Sequence, residues 1–128
     1  MTSRFTELIV DCRSPRLLAE FWCAVLGYRV LEEGPDLVEI GIDPLTPEAV
    51  RPAPIVPTIV FVVVPEDKAV KNRLHIDVNP VDATQEEEVE RLLALGARRV
   101  DLGQGDVHWV VMADPEGNEF CVLSSLKH

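Results

Sequence analysis

The sequence predicts an α+β fold of two tandem βαβββ modules, with curved, mostly antiparallel sheets, helices outside and a concave cleft inside. Three observations lead there. Strand-like alternation and helical spacing of apolar residues follow one another in the same order twice: strand, helix, glycine, then three strands. The first helix ends Leu26-Gly27-Tyr28-Arg29-Val30 and the second ends Leu95-Gly96-Ala97-Arg98-Arg99-Val100, so the two glycines stand 69 positions apart. Glu7 and His75, each at the start of its module's first strand, stand 68 apart. One duplicated unit accounts for both spacings. The first module spans about residues 4–64 and the second about 72–124, within one domain of residues 1–128.

In the first module, Thr6 to Cys12 reads as a strand with Leu8, Val10 and Cys12 on one face and Glu7, Ile9 and Asp11 on the other. Ser14 is a natural N-cap, and Pro15 follows at the first helical position. Leu17, Leu18, Phe21, Trp22, Val25 and Leu26 form an apolar helical stripe that ends at Gly27. Trp22, between Phe21 and Val25, reads as core. Tyr28 to Leu31 and Leu37 to Ile42 read as strands joined by a turn at Glu33-Gly34-Pro35-Asp36. Residues 43–57 hold five of the ten prolines, which predicts an irregular loop, a candidate wall for a pocket. Thr58 to Val64 is a β-branched run of the kind buried on both faces.

In the second module, Arg73 to Asn79 reads as a strand with Leu74, Ile76 and Val78 toward the helix and His75, Asp77 and Asn79 opposite. Asp82-Ala83-Thr84 leads into a helix whose Glu86, Glu87 and Glu88 read as a solvated first turn, where acid suits the dipole. Ala97 to Leu102 and Val107 to Ala113 read as strands around a Gly103-Gln104-Gly105-Asp106 turn. Asp114-Pro115-Glu116-Gly117-Asn118 is a strong turn signal before a last strand, Glu119 to Leu123. Lys68, Lys71 and Arg73 form a basic cluster between the modules and read as a solvated linker.

Composition narrows the functional classes. The 128 residues carry a formal charge of −10, against the basic footprint that nucleic-acid binding requires. No uninterrupted apolar run exceeds six residues, Ile59 to Val64 being one, far short of the ~20 that span a bilayer. The N-terminus lacks the apolar stretch of a signal peptide. Three cysteines, Cys12, Cys23 and Cys121, with no C-x-x-C pair, disfavour a disulfide framework and a zinc knuckle, and point to a reduced, cytoplasmic protein. Dinucleotide, P-loop, H-E-x-x-H and G-x-S-x-G motifs are absent.

Four segments carry a family likeness: Val10-Asp11-Cys12 with Ser14-Pro15; Ala19-Glu20-Phe21-Trp22 with Leu26-Gly27-Tyr28; Lys71 to Asp77; and Asp114-Pro115-Glu116-Gly117-Asn118-Glu119-Phe120. Over nearly its whole length the chain resembles the vicinal oxygen chelate superfamily, which groups glyoxalase, bleomycin-resistance and dioxygenase proteins. Within it, the likeness is to small bacterial glyoxalase-like proteins. In metal-dependent members, four inward positions hold a divalent ion. The resemblance carries these onto Glu7, Val62, His75 and Cys121. His75 fits the pattern directly, and Glu7 offers a carboxylate where His or Gln is usual. Val62 has no donor atom, and Cys121 replaces a carboxylate, so the implied set is damaged. The resemblance also leaves a homodimer open, since relatives often dimerise.

The expected ligand pocket therefore gathers Glu7, His75, Asp77, Trp109, Glu119 and Cys121. Asp77, two residues beyond His75 on the same strand face, is placed to orient the imidazole. Trp109 shares its face with Val111 and Ala113 and is a candidate stacking wall for a flat ligand. Glu119 shares the face of Cys121 and reads as polar rim. The expected function is metal-independent binding of a small hydrophobic or aromatic molecule. The alternative is a lyase, isomerase or dioxygenase of the vicinal oxygen chelate type, with His75 as the candidate catalytic group. Its divalent ion, Zn, Ni, Fe or Mn, would polarise substrate oxygens. The fallback ligand set is Glu7, His75 and Cys121, since zinc accepts O, N and S donors.

Overall fold

The computed structural model describes residues 2–105 and 107–124, and the chain divides into two compact units, Met1–Asp67 and Lys68–His128. The first contains β1 (Glu7–Cys12), α1 (Pro15–Leu26), β2 (Arg29–Gly34), β3 (Leu37–Gly41), the short α2 (Pro47–Val50) and β4 (Thr58–Val63). The second contains β5 (Asp77–Val78), α3 (Gln85–Leu95), β6 (Arg98–Arg99), β7 (Val110–Ala113) and β8 (Glu119–Val122). Each unit builds a four-stranded sheet, ordered β1-β4-β3-β2 in one and β5-β8-β7-β6 in the other. In both, the first strand runs parallel to the last and the other two pairs are antiparallel. The same order twice is the duplicated βαβββ architecture the sequence predicts. Among the described residues no helix is long and apolar enough to cross a membrane.

In the first unit, β1 alternates as expected: Glu7, Ile9 and Asp11 are exposed, Leu8 and Val10 are half-buried, and Cys12 is buried. Between β1 and β3, β4 buries Thr58 to Phe61 and emerges at Val63. Pro15 opens α1 with its φ already fixed, and Leu18 N–H donates to the Ser14 carbonyl at 3.2 Å. The Ser14 side chain, though at the N-cap position, makes no capping hydrogen bond. Leu18, Phe21 and Trp22 are buried as α1 packs on β3 and β4, whereas Leu17, at the border of the stripe, is exposed. Gly27 ends the helix at φ 69°, in the left-handed region that disfavours a Cβ. The 43–57 loop is less irregular than expected, because Thr46 caps α2 by accepting from Ala49 N–H.

The second unit departs further from the sequence reading. The strand expected over 73–79 is only Asp77–Val78. It is an edge strand, and the ladder ends where Cys121 N–H donates to Ile76 O and Leu123 N–H to Val78 O. Residues ahead of it leave the sheet, so Leu74, expected to face the helix, is 83% exposed. The strand expected over 97–102 stops early. Asp101 Oδ1 accepts from Gly103 N–H at 2.7 Å and Gln104 Oε1 from Leu102 N–H at 2.8 Å, which turns the backbone away. Val107 to Trp109 likewise precede β7 rather than extend it. Asp106, in the turn read from the sequence, lies outside the described residues.

Thr84 and Glu87 form a full capping box at the start of α3. Glu88 is not solvated as expected. It sits one turn before Leu92 on the inner face of α3, and Arg91 reaches its two oxygens with 2.8 Å bonds. The Asp114 turn is a tight hairpin connection. Its buried carboxylate accepts from Glu116 N–H, Asn118 N–H and the Asn118 amide, and Gly117 has φ 91°.

Candidate functional site

The register of the second sheet brings the site together. Cys121 on β8 is paired with Asp77 on β5 and Val111 on β7, so the three lie side by side on one face. The opposite face carries Phe120, Met112 and Val122, all fully buried. Cys121, Val111 and Leu123 form a small buried cluster, with Val100 and Trp109 packed against it.

His75 stands two residues before Asp77, and its Nδ1 lies 3.3 Å from Asp77 Oδ1. One donor atom each from His75, Asp77 and Cys121 falls within 4.8 Å of the others. The Cys121 thiol is pushed up to about 11, first by burial, then by the Asp77 charge and a hydrogen bond with Asp77, with Lys71 opposing. In the metal-free protein this sulfur is therefore a neutral thiol at physiological pH, a poor nucleophile.

A cavity of about 320 Å³ opens on this unit. Leu102, Trp109 and Val111 give it apolar walls, with Cys121 alongside. Lys71, His75, Gln104 and Glu119 supply its polar groups. Glu119 is held on both oxygens, by Lys68 Nζ at 2.7 Å and Asn72 N–H at 2.7 Å. Burial works to raise its carboxyl pKa, but the Lys68 and Asn72 hydrogen bonds and the Lys68 charge outweigh it and leave the group below its ordinary value.

Four of the six residues expected in the pocket, His75, Trp109, Glu119 and Cys121, thus line one cavity, and Asp77 adjoins it through His75 and Cys121. Glu7, on β1, and Val62, on β4, belong to the first unit, as does the 43–57 loop. Lys68 corrects the reading of a solvated linker, whereas Lys71 is exposed as that reading expects. Lys71 lines the cavity, and Lys68 is shielded against Glu119. Lys71 lies ahead of the two-residue β5, where strand alternation no longer places a side chain. Leu102 and Gln104 arrive through an irregular loop that no periodicity announces.

The fold and this site define an α+β protein of paired βαβββ units with a ligand-sized cavity on the sheet of the second. The family model of the glyoxalase-like domain matches residues 7–123, and the chain belongs to that family, within the vicinal oxygen chelate superfamily. Among solved structures, it is similar to a glyoxalase/bleomycin resistance protein/dioxygenase family enzyme from Burkholderia phytofirmans. The two are 19% identical, with TM-score 0.64, over 94% of this chain and 97% of that one. It is also similar to the fosfomycin resistance protein FosX from Mesorhizobium loti, at 14% identity and TM-score 0.63 over 94% and 91% of the two chains. A mutant FosX from Listeria monocytogenes, complexed with Mn(II) and 1S,2S-dihydroxypropylphosphonic acid, is 15% identical. Its TM-score is 0.65 over 98% of this chain and 94% of that one. At these identities the likeness is one of fold. No curated protein matches the chain.

Proposed function

We propose that the protein binds a small molecule in the cavity of its second unit and that binding needs no metal ion. The observation that carries this reading is the cavity, which is lined by a tryptophan and two aliphatic side chains together with a histidine and a lysine around a space of about 320 Å³. That is the size and chemistry of small-molecule sites, mostly apolar with a few placed polar groups. The metal-free part is supported by Val62, which has no donor atom, and by Cys121, a thiol where the resemblance calls for a carboxylate. The three cysteines are free, which fits a reducing cytoplasm. The test is a thermal-shift screen of aromatic and aliphatic compounds on chelator-treated protein. Hits should weaken in Trp109→Ala and His75→Ala. Binding that disappears on chelation and returns with metal would overturn the metal-free reading.

One observation favours a second reading. His75, Asp77 and Cys121 offer nitrogen, oxygen and sulfur within 4.8 Å, a donor set suited to a zinc-like ion and ill suited to a hard, oxygen-preferring one. Asp77 would serve as the carboxylate from the second unit in the place the fallback set gave to Glu7. A bound ion would supply Lewis-acid polarisation of vicinal substrate oxygens, the chemistry of a lyase, isomerase or dioxygenase. In that reading the 3.3 Å approach of His75 Nδ1 and Asp77 Oδ1 sets two donors side by side, and Trp109 holds the substrate's apolar part.

A further inference from the structure

We infer that the cavity selects a flat apolar molecule bearing one anionic group, a carboxylate or its equivalent, and that Lys71 is the residue that selects it. The inference rests on the cavity reading above and adds the charge class of the ligand.

Charge on the cavity lining is unevenly paired. Two ionised side chains that line it have opposite signs, Lys71 and Glu119. Glu119 is already satisfied, with Lys68 Nζ at 2.7 Å and Asn72 N–H at 2.7 Å on its two oxygens. Its charge is cancelled by Lys68 inside the wall, where neither side chain meets much water. A cationic ligand would have to displace Lys68 to use it. Lys71 differs. Its ammonium donates to the Asn72 carbonyl at 3.2 Å, and among the described residues it forms no ion pair. Two of its three N–H donors are thus left for a ligand.

The same clamp places Lys71. Asn72, the next residue, is fixed by its N–H on Glu119, and Lys68 is fixed three residues before, so the segment is tied to β8 on both sides of Lys71. A lysine on a tethered segment loses less freedom on binding than one on an open loop. In the same cavity, Leu102, Trp109 and Val111 present apolar surface that a flat ring can cover. Asp77 adds a negative charge behind Cys121, but Lys71 is the cation on the cavity lining that forms no ion pair, and with the apolar wall it describes an aryl monoanion. The formal charge of −10 on the whole chain makes this local cation the decisive group, since the global field opposes anions.

The probes are naphthoate and its neutral isostere naphthamide, titrated by calorimetry into the full chain at neutral pH. Naphthoate should bind about tenfold tighter, the worth of one charge-assisted contact at a partly open site. Lys71→Gln should bring naphthoate down to the affinity of naphthamide and leave naphthamide unchanged. Lys71→Arg should keep the preference. Equal affinities in the wild type, or a preference that survives Lys71→Gln, would overturn anion selection. The cavity reading would still stand if both probes compete and are weakened by Trp109→Ala or by Leu102→Trp, which crowds the cavity from an exposed position. If neither probe binds at millimolar concentration, or if both variants leave binding intact, the cavity reading fails and this inference fails with it.

Discussion

Lys68 and Glu119 form a 2.7 Å ion pair in which the side chains are only 19% and 11% exposed. Separated by 51 positions in sequence, they tie the start of the second unit to its last strand. Arg13 and Asp67 also pair at 2.7 Å, but their side chains are 53% and 80% exposed. Identical distances therefore predict unequal contributions, because water screens the second pair and largely not the first. Lys68→Ala should cost about 1–3 kcal/mol, since it leaves a shielded carboxylate short of a partner. Arg13→Ala should cost no more than about 0.5 kcal/mol. Urea midpoints of the two variants check this, and equal losses would show that the shielded pair has no special weight.

Phe120 and Leu74 should separate just as sharply. Phe120 is fully buried on the face opposite the cavity, so Phe120→Ala should cost roughly 3–5 kcal/mol. Leu74 is exposed ahead of the edge strand, so Leu74→Ala should change stability by less than about 0.5 kcal/mol. Denaturant unfolding of the two variants decides. A large loss in Leu74→Ala would mean that the strand extends back over 73–76 after all.

These two residues also mark how far the sequence could be read. Phe120 lies in a continuous strand whose alternation fixes its face, and the duplicated spacing of Gly27 and Gly96 fixed the topology. Leu74 obeys the same alternation on paper. Its partner strand β8 has only four residues, however, and begins at Glu119, whose side chain rather than backbone receives the Asn72 N–H. A pattern of period two names the face of a residue only while the pairing persists. The candidate site was legible for the same reason: His75, Asp77 and Cys121 sit on or beside paired strands. Lys68 and Glu88 were misread because their partners, Glu119 and Arg91, take a charged residue out of water, and charge runs are read by default as solvated. Leu102 and Gln104 reach the cavity through an Asx turn, where side-chain hydrogen bonds rather than periodicity set direction.

The capping box on α3 has an acid signature. Glu87 is held below the ordinary carboxylate range, first by the Thr84 N–H and then by the Thr84 hydroxyl. A depressed folded pKa adds stability that is complete above the unfolded pKa and is lost as pH falls through the folded one. Glu87→Gln should therefore be less stable than wild type at neutral pH, and the gap should close as the solution is acidified through that depressed value. Stability measured across an acid series checks the sign. A gap that stays constant down to strong acid would mean that the carboxylate charge plays no part in the cap. Thr84→Ala, which removes the hydroxyl acceptor for Glu87 N–H and a group that helps keep Glu87 charged, should cost about 1 kcal/mol at neutral pH and less in acid.

Metal content separates the two functional readings. The donor set of His75, Asp77 and Cys121 is compact, yet the position carried onto Val62 contributes nothing, and the Cys121 thiol must lose its proton to ligate. Both features weaken retention of an ion. Protein purified without a histidine tag should hold substoichiometric zinc, nickel, iron and manganese by elemental analysis. His75→Ala should leave the melting temperature within a few degrees of wild type, because the imidazole is partly exposed and supports no packed core. The same variant should weaken whatever ligand the cavity binds. The contrary result is specific: one ion per chain that survives chelation, raises the melting temperature when bound and is lost in His75→Ala. A tight ion stabilises the folded chain in proportion to the logarithm of its concentration over Kd, so a melting temperature that climbs with added zinc in wild type and stays flat in His75→Ala would make the protein a metal-dependent member of its family.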